Sequence, residues 1–243
     1  MFQLARNSPL FYGSLDSLRN SFATQHYVVL RNLLEEPLLE KIQRNIERAQ
    51  WHSSKFEEGF SGTEFTLDDP PTLNVLHFLL NHPRVLDVIR FITDCEQISE
   101  FNGRIYRMAA GAGHGLSWHN DLDKEGARQV GFSMNLSTGV FRGGTFELRD
   151  RLTMKLSAQV NNTGFGDALL FRISRHLEHR VTPIIEGVPK TACAGWFHAT
   201  GENYMKKLID APNHKEDERE VAGSSSENEA GAQPDALPGS DCR

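Results

Sequence analysis

Trp118-His119-Asn120-Asp121 is the stretch of this 243-residue chain with the plainest capacity for chemistry. Side chains two apart on a strand leave the same face, so the His119 imidazole and the Asp121 carboxylate can reach one point. They supply two ligands for a borderline divalent metal, and a third is needed. Two histidines lie downstream, in Arg175-His176-Leu177-Glu178-His179-Arg180-Val181-Thr182-Pro183. Two histidines and one carboxylate on one face of an octahedral metal leave three positions open, the arrangement of non-heme Fe(II) oxygenases. By spacing alone the pattern is modest, because a chain with ten histidines also produces His-x-Asp pairs as surface turn residues. His176 and His179 are an odd number apart, so a strand carrying both would turn them to opposite faces.

Other signals lead nowhere. Gly111-Ala112-Gly113-His114-Gly115 follows a strand pattern but lacks the GxGxxG spacing and a helix to follow, which argues against a dinucleotide site. There is no GxSxG elbow. The cysteines Cys95, Cys193 and Cys242 are few, odd in number and widely spaced, which excludes a disulfide framework and a cysteine-rich zinc module. Cys193 reads as a buried structural thiol.

The elements that must position these residues fall into two blocks. Up to about residue 95 the patterns are mostly helical. Leu15 to Ala23, Glu36 to Gln50, Thr72 to Leu80 and Val85 to Thr93 are helix candidates, with Tyr27 to Leu30 a short strand. Residues 51 to 70 are polar, aromatic and irregular, and read as a loop bordering a pocket. After Gln97 come roughly eight short strand patterns separated by glycines, which suggests a sandwich or barrel rather than βαβ units. The strand candidates are Ser99 to Ala109, Leu116 to His119, Val130 to Leu136, Thr145 to Leu148, Leu152 to Val160, Ala168 to Ile173, His179 to Ile184 and Thr191 to Ala199. The expected class is mainly β with supporting α. Residues 1–96 would be a helical support region of the same domain, 97–209 the β core, and 210–243 an acidic, disordered tail.

Composition narrows the function classes. Hydrophobic residues are 39% and charged residues 24%, a globular balance. No apolar run approaches the ~18 to 20 residues of a membrane helix, and the N-terminal residues lack a secretory pattern. A cytoplasmic, reducing location is the expectation. The net charge of −6 sits in the tail, where residues 210–243 hold nine acidic and three basic side chains. The neutral remainder offers no basic stripe for phosphate backbones, so nucleic-acid binding is not expected. The tail reads as a solubilising extension, with an interaction or autoinhibitory role as the alternative.

In order along the chain stand His119-Asn120-Asp121, Met134-Asn135-Leu136, Phe141-Arg142-Gly143-Gly144-Thr145-Phe146, Gly166-Asp167-Ala168-Leu169-Leu170-Phe171, His179-Arg180-Val181-Thr182-Pro183 and Lys190. This succession resembles the prolyl 4-hydroxylase-like branch of the iron(II)/2-oxoglutarate dioxygenase superfamily, over roughly residues 97 to 200. The resemblance implies a double-stranded β-helix core (jelly-roll, cupin-like) with the N-terminal helices packed on it. It implies Fe(II) held by His119, Asp121 and His179, with 2-oxoglutarate and O2 as co-substrates and ascorbate as a reductant. His179, not His176, opens the His-x-Val-x-Pro run. Lys190 would pair with the distal carboxylate of 2-oxoglutarate, although it lies one residue later than is common. The tyrosine usually found two residues before the central asparagine is here Ser133, and Tyr106 is a candidate for the missing contact. Trp196, six residues after Lys190, would line the pocket near the iron.

The implied activity is hydroxylation of a peptide or protein side chain, or of a small molecule, with release of succinate and CO2. Substrate choice would rest on residues 51 to 70 and around Asp123 to Arg128. Two rivals remain. One is a non-enzymatic metal- or ligand-binding β-barrel acting as a sensor or interaction protein, which would need no oxo-acid anchor at Lys190. The other keeps the metal, as zinc or manganese, for hydrolytic or isomerase chemistry.

Overall fold

Leu38, Leu39, Ile42 and Ile46 recur at helical spacing, and in a computed structural model they are the buried face of helix α2 (Glu36–Arg48). Each such side chain withdrawn from water contributes about 1.5–3 kcal/mol. Residues 2–4, 9–11, 14–55, 63–123, 126–161 and 163–199 are described. The acidic segment 210–243 and residues 200–209 lie outside them.

Before the β core come β1 (Phe2–Leu4), β2 (Pro9–Phe11), α1 (Leu15–Gln25), β3 (Tyr27–Leu30), α2, β4 (Gln50–Lys55), β5 (Thr63–Asp68), α3 (Pro70–Leu80) and α4 (Pro83–Thr93). Helices α2, α3 and α4 carry proline in their first turn, where its missing N–H costs nothing. The core follows as β6 (Glu100–Met108), β7 (Leu116–His119), β8 (Arg128–Asn135), β9 (Phe141–Gly143), β10 (Phe146–Asp150), β11 (Leu156–Val160), β12 (Ala168–Arg172), β13 (Leu177–Val181), β14 (Ile184–Gly187) and β15 (Lys190–His198).

The strands form a large sheet in the order β3-β12-β8-β15-β6-β5-β4 and a smaller one in the order β11-β10-β13-β7. A further two-stranded sheet pairs β14 with β9. Every pairing in these sheets is antiparallel. The fold is a double-stranded β-helix, mainly β with supporting helices. Period-2 alternation divides the large sheet's residues between two environments. Phe101, Ile105, Val130, Met134, Cys193 and Phe197 pack with Phe22, Ile42, Leu76, Leu86 and Ile89 of the helices. Their sequence neighbours Arg104, Tyr106, Ser133, Ala192, Ala194 and Trp196 line a cavity on the other face. Cys193 is free and fully buried.

Three readings from the sequence change. The stretch 51–70 is not all loop, because β4 and β5 pair as a hairpin and β5 joins β6 through Phe65↔Arg107 and Thr66↔Tyr106. An edge hairpin of mostly polar residues shows little hydrophobic alternation, and backbone pairing defines it instead. Residues 56–62 within it lie outside the described set. The run from His179 to Ile184 is two strands split at Thr182-Pro183, where proline has no N–H for a ladder. Residues 151–153 turn rather than extend, held by the Asp150 carboxylate, which accepts from the Thr153 backbone N–H at 2.6 Å.

Candidate metal centre and cavity

His119 is the last residue of β7, and β13 lies beside it in a register that sets His179 opposite His119. Alternation along β13 turns Leu177, His179 and Val181 inward and Glu178 and Arg180 outward. On the outer surface the Trp118 ring lies under two guanidinium groups, Arg149 at 4.0 Å and Arg180 at 4.7 Å. Arg149 pairs with Glu178 at 2.8 Å and Arg180 with Glu147 at 2.5 Å, so β7, β10 and β13 are tied together outside the site. With Trp118 held out, its neighbour His119 points in.

His119, Asp121 and His179 present ligand atoms within 4.8 Å of one another and could hold a metal ion. The Asp121 carboxylate lies between the imidazoles: Oδ1 is 3.3 Å from His119 Nε2, and Oδ2 is 3.3 Å from His179 Nε2. His119 Nδ1 lies 2.7 Å from the Ser117 carbonyl, so a proton there leaves the Nε2 lone pair facing the cluster. Trp196 Nε1 donates to Asp121 Oδ2 at 2.7 Å, which fixes the carboxylate's orientation. His179 is walled by Phe146, stacked at 5.6 Å, and Phe171, tilted at 4.5 Å.

Electrostatics match a cation site. Burial pushes the Asp121 carboxyl upward, but His179 and the hydrogen bonds of both histidines outweigh it and hold the group well below the usual carboxylate range. Burial lowers His179 and Asp121 opposes it, leaving the imidazole more readily neutral, the state that ligates metal. His176 sits in the exposed turn before β13, away from the cluster, with its backbone N–H donating to Ser174 Oγ at 3.3 Å.

The three residues open onto a cavity of about 430 Å³ that also takes in Lys190, Tyr106, Ser133 and Trp196. Lys190 begins β15, and its Nζ donates to the Gly144 carbonyl at 2.9 Å. That approach needs the Gly143-Gly144 turn, whose φ angles of 83° and 61° favour glycine. A Cβ on Gly143 would meet the Pro183 carbonyl oxygen at 2.1 Å. Burial pushes the Lys190 ammonium down to about 8. Tyr106 and Ser133 share a hydrogen bond across β15, over the small Ala192 and Ala194 that pair with them in register. Burial and the Glu64 carboxylate raise the Tyr106 phenol to about 12, so it stays a neutral donor.

Sequence reasoning missed Glu64 and Arg104, which form an ion pair at 2.5 Å in the cavity wall. Glu64 came from the stretch read as a pocket-bordering loop, and it does border the pocket, from a strand. Little in the sequence marked it, because only Phe65 and Leu67 of β5 are apolar.

Residues 103–198 match the model of the 2OG-Fe(II) oxygenase superfamily. No curated protein matches the chain significantly. Among solved structures, the chain resembles an oxidoreductase of the 2OG-Fe(II) oxygenase family from Burkholderia pseudomallei. The TM-score is 0.60 at 14% identity, covering 83% of this chain and 96% of that one. A Pseudomonas putida prolyl-4-hydroxylase gives 0.56 at 17% identity, covering 82% and 99%. A Trichoplax adhaerens prolyl hydroxylase, solved with a hypoxia inducible factor oxygen degradation domain peptide fragment, gives 0.54 at 13% identity, covering 81% and 92%. At such identities the likeness is one of fold.

Proposed function

We propose that the protein is an Fe(II)- and 2-oxoglutarate-dependent dioxygenase that hydroxylates a peptide side chain or a small molecule. The observation that carries this reading is the placement of two imidazole nitrogens, each 3.3 Å from a different oxygen of Asp121, inside a cavity that also holds Lys190. Two nitrogens and one carboxylate with open positions suit non-heme iron. His119, Asp121 and His179 would hold the metal, with Trp196 and the Ser117 carbonyl orienting them. When bound, iron with 2-oxoglutarate and O2 supplies the oxidising chemistry that releases succinate and CO2 and places oxygen on the substrate.

Lys190 would pair with the distal carboxylate of 2-oxoglutarate, its charge favoured by that partner in the half-buried site. The Tyr106 hydroxyl, backed by Ser133, would donate to the same carboxylate in place of the usual tyrosine. Phe146, Phe171 and Leu169 would keep water from the reacting face. Residues 1–96 would support the catalytic core. The test is anaerobic titration of the Fe(II) protein with 2-oxoglutarate, followed through the chelate absorption band, and then a succinate assay with and without ascorbate. Loss of the band when zinc replaces iron is expected. A wild type that binds no 2-oxoglutarate overturns the reading and favours the binding-protein alternative.

A further inference from the structure

The charges around the cavity can be assigned one by one. Among the described lining residues, five besides the histidines carry a charge near neutral pH: Glu64, Arg104, Asp121, Arg128 and Lys190. Arg104 is engaged by Glu64 across 2.5 Å. Asp121 faces the two imidazoles. Lys190 stands at the Gly144 turn. Arg128 is left. Its guanidinium lies over the Trp196 ring, 3.8 Å from the centroid, and its Nε is buried with no hydrogen-bond partner among the described residues. Asp123, the nearest described carboxylate along the chain, uses Oδ1 to accept from the backbone N–H groups of Ala127 and Arg128, at 2.8 and 3.4 Å.

Arg128 is also held in place. The Gln129 side chain donates to the Gly126 carbonyl at 2.7 Å, and the Ala199 N–H donates to the Ala127 carbonyl at 2.7 Å, so the turn before β8 is braced on both sides. The indole beneath the guanidinium is the one that bonds Asp121, which puts the cation one tryptophan away from the cluster of His119, Asp121 and His179. A buried donor without an acceptor is costly, and stacking on an indole offsets only part of that cost. Its natural partner is a planar anion gripped by the guanidinium fork.

We infer that Arg128 is the anchor for a carboxylate of the primary substrate, so that the substrate class is a molecule bearing one carboxylate close to the carbon that is oxidised. This rests on the oxygenase reading above. With Fe(II) and doubly charged 2-oxoglutarate in place, the cavity keeps one uncompensated positive charge, and a single carboxylate neutralises it. The carboxylate can come from a free acid or from an acidic side chain of a peptide.

The experiment loads the protein with Fe(II) and saturating 2-oxoglutarate without oxygen. It then titrates matched pairs: isovalerate and isovaleramide, phenylacetate and phenylacetamide, and an acetylated glutamate-containing tripeptide amide and its glutamine counterpart. Perturbation of the chelate band reports binding, scored only where the band persists. At least one acid is expected to bind about tenfold or more tightly than its amide, as loss of a charge-assisted contact implies. The free-acid and peptide arms identify the source. Arg128→Gln should erase the preference while the 2-oxoglutarate band still forms, and Arg128→Lys should retain part of it. Equal binding of acids and amides, no binding of any acid, or a preference that survives in Arg128→Gln overturns the inference. A wild type with no chelate band refutes the oxygenase reading beneath it.

Discussion

Lys190→Ala tests the co-substrate site most directly. The lysine is half-buried, donates to the Gly144 carbonyl at 2.9 Å, and is held down at about 8 by burial. A charge-assisted contact from such a group to a carboxylate is worth about 2 kcal/mol. Its removal should weaken 2-oxoglutarate binding about 10- to 50-fold at pH 7, with iron binding intact. The acidity of the lysine adds a signature that truncation alone lacks. Binding a carboxylate raises the ammonium's pKa, so association takes up a proton once the free lysine begins to lose its own. Wild-type affinity should be full well below pH 8 and fall as pH rises through it, by up to about tenfold per unit. The carboxyl groups of 2-oxoglutarate stay ionised throughout that window. Lys190→Ala should be weak and flat over the same range. Lys190→Arg should stay charged and flat, but fit poorly, because the lysine Cδ lies only 3.1 Å from where a Gly144 Cβ would stand. The assay is the anaerobic chelate-band titration at pH 7, 8 and 9. Equal affinity in wild type and Lys190→Ala, or a wild type flat across pH 8, would refute the assignment.

His119→Ala, Asp121→Ala and His179→Ala should each abolish Fe(II) binding measured by metal analysis, whereas His176→Ala should retain it; the reverse pattern for the two histidines would move the ligand. Trp196→Phe removes the 2.7 Å donor to Asp121 while keeping an aromatic ring, and should weaken Fe(II) by about tenfold with little change in melting temperature. Gly131→Ala would set a Cβ 2.0 Å from the Phe171 ring, which packs on His179, and should destabilise by about 1–3 kcal/mol in a denaturant titration. An unchanged midpoint would show that Phe171 yields freely.

Some of this architecture was legible because it is written in near neighbours. The helical spacing of Leu38, Leu39, Ile42 and Ile46 needs one turn of chain to state itself, and the strands Tyr27–Leu30 and Leu116–His119 were bounded as found. The two-residue step from His119 to Asp121 and the odd step from His176 to His179 are properties of a pleated strand. They say which side chains can share a face before any sheet is built. They allow only one of His176 and His179 to face the site from a single strand, and His176 sits in the turn before β13.

Which inward side chains then meet depends on sheet order and register, and these are set by pairing between segments far apart in the chain. Trp196 reaches Asp121 across 75 residues, and Arg104 reaches Glu64 across 40. Tyr106 and Ser133 were separate candidates until β15 came between their strands with two alanines small enough to let them touch. Arg128 was one charge in a stretch expected to bear on substrate choice until its guanidinium came to lie over the indole that holds Asp121. Local periodicity determines the face a residue occupies, because it follows from the pleat. Only the folded sheets decide what stands opposite, because cross-strand neighbours are chosen by the burial of whole faces rather than by any one residue.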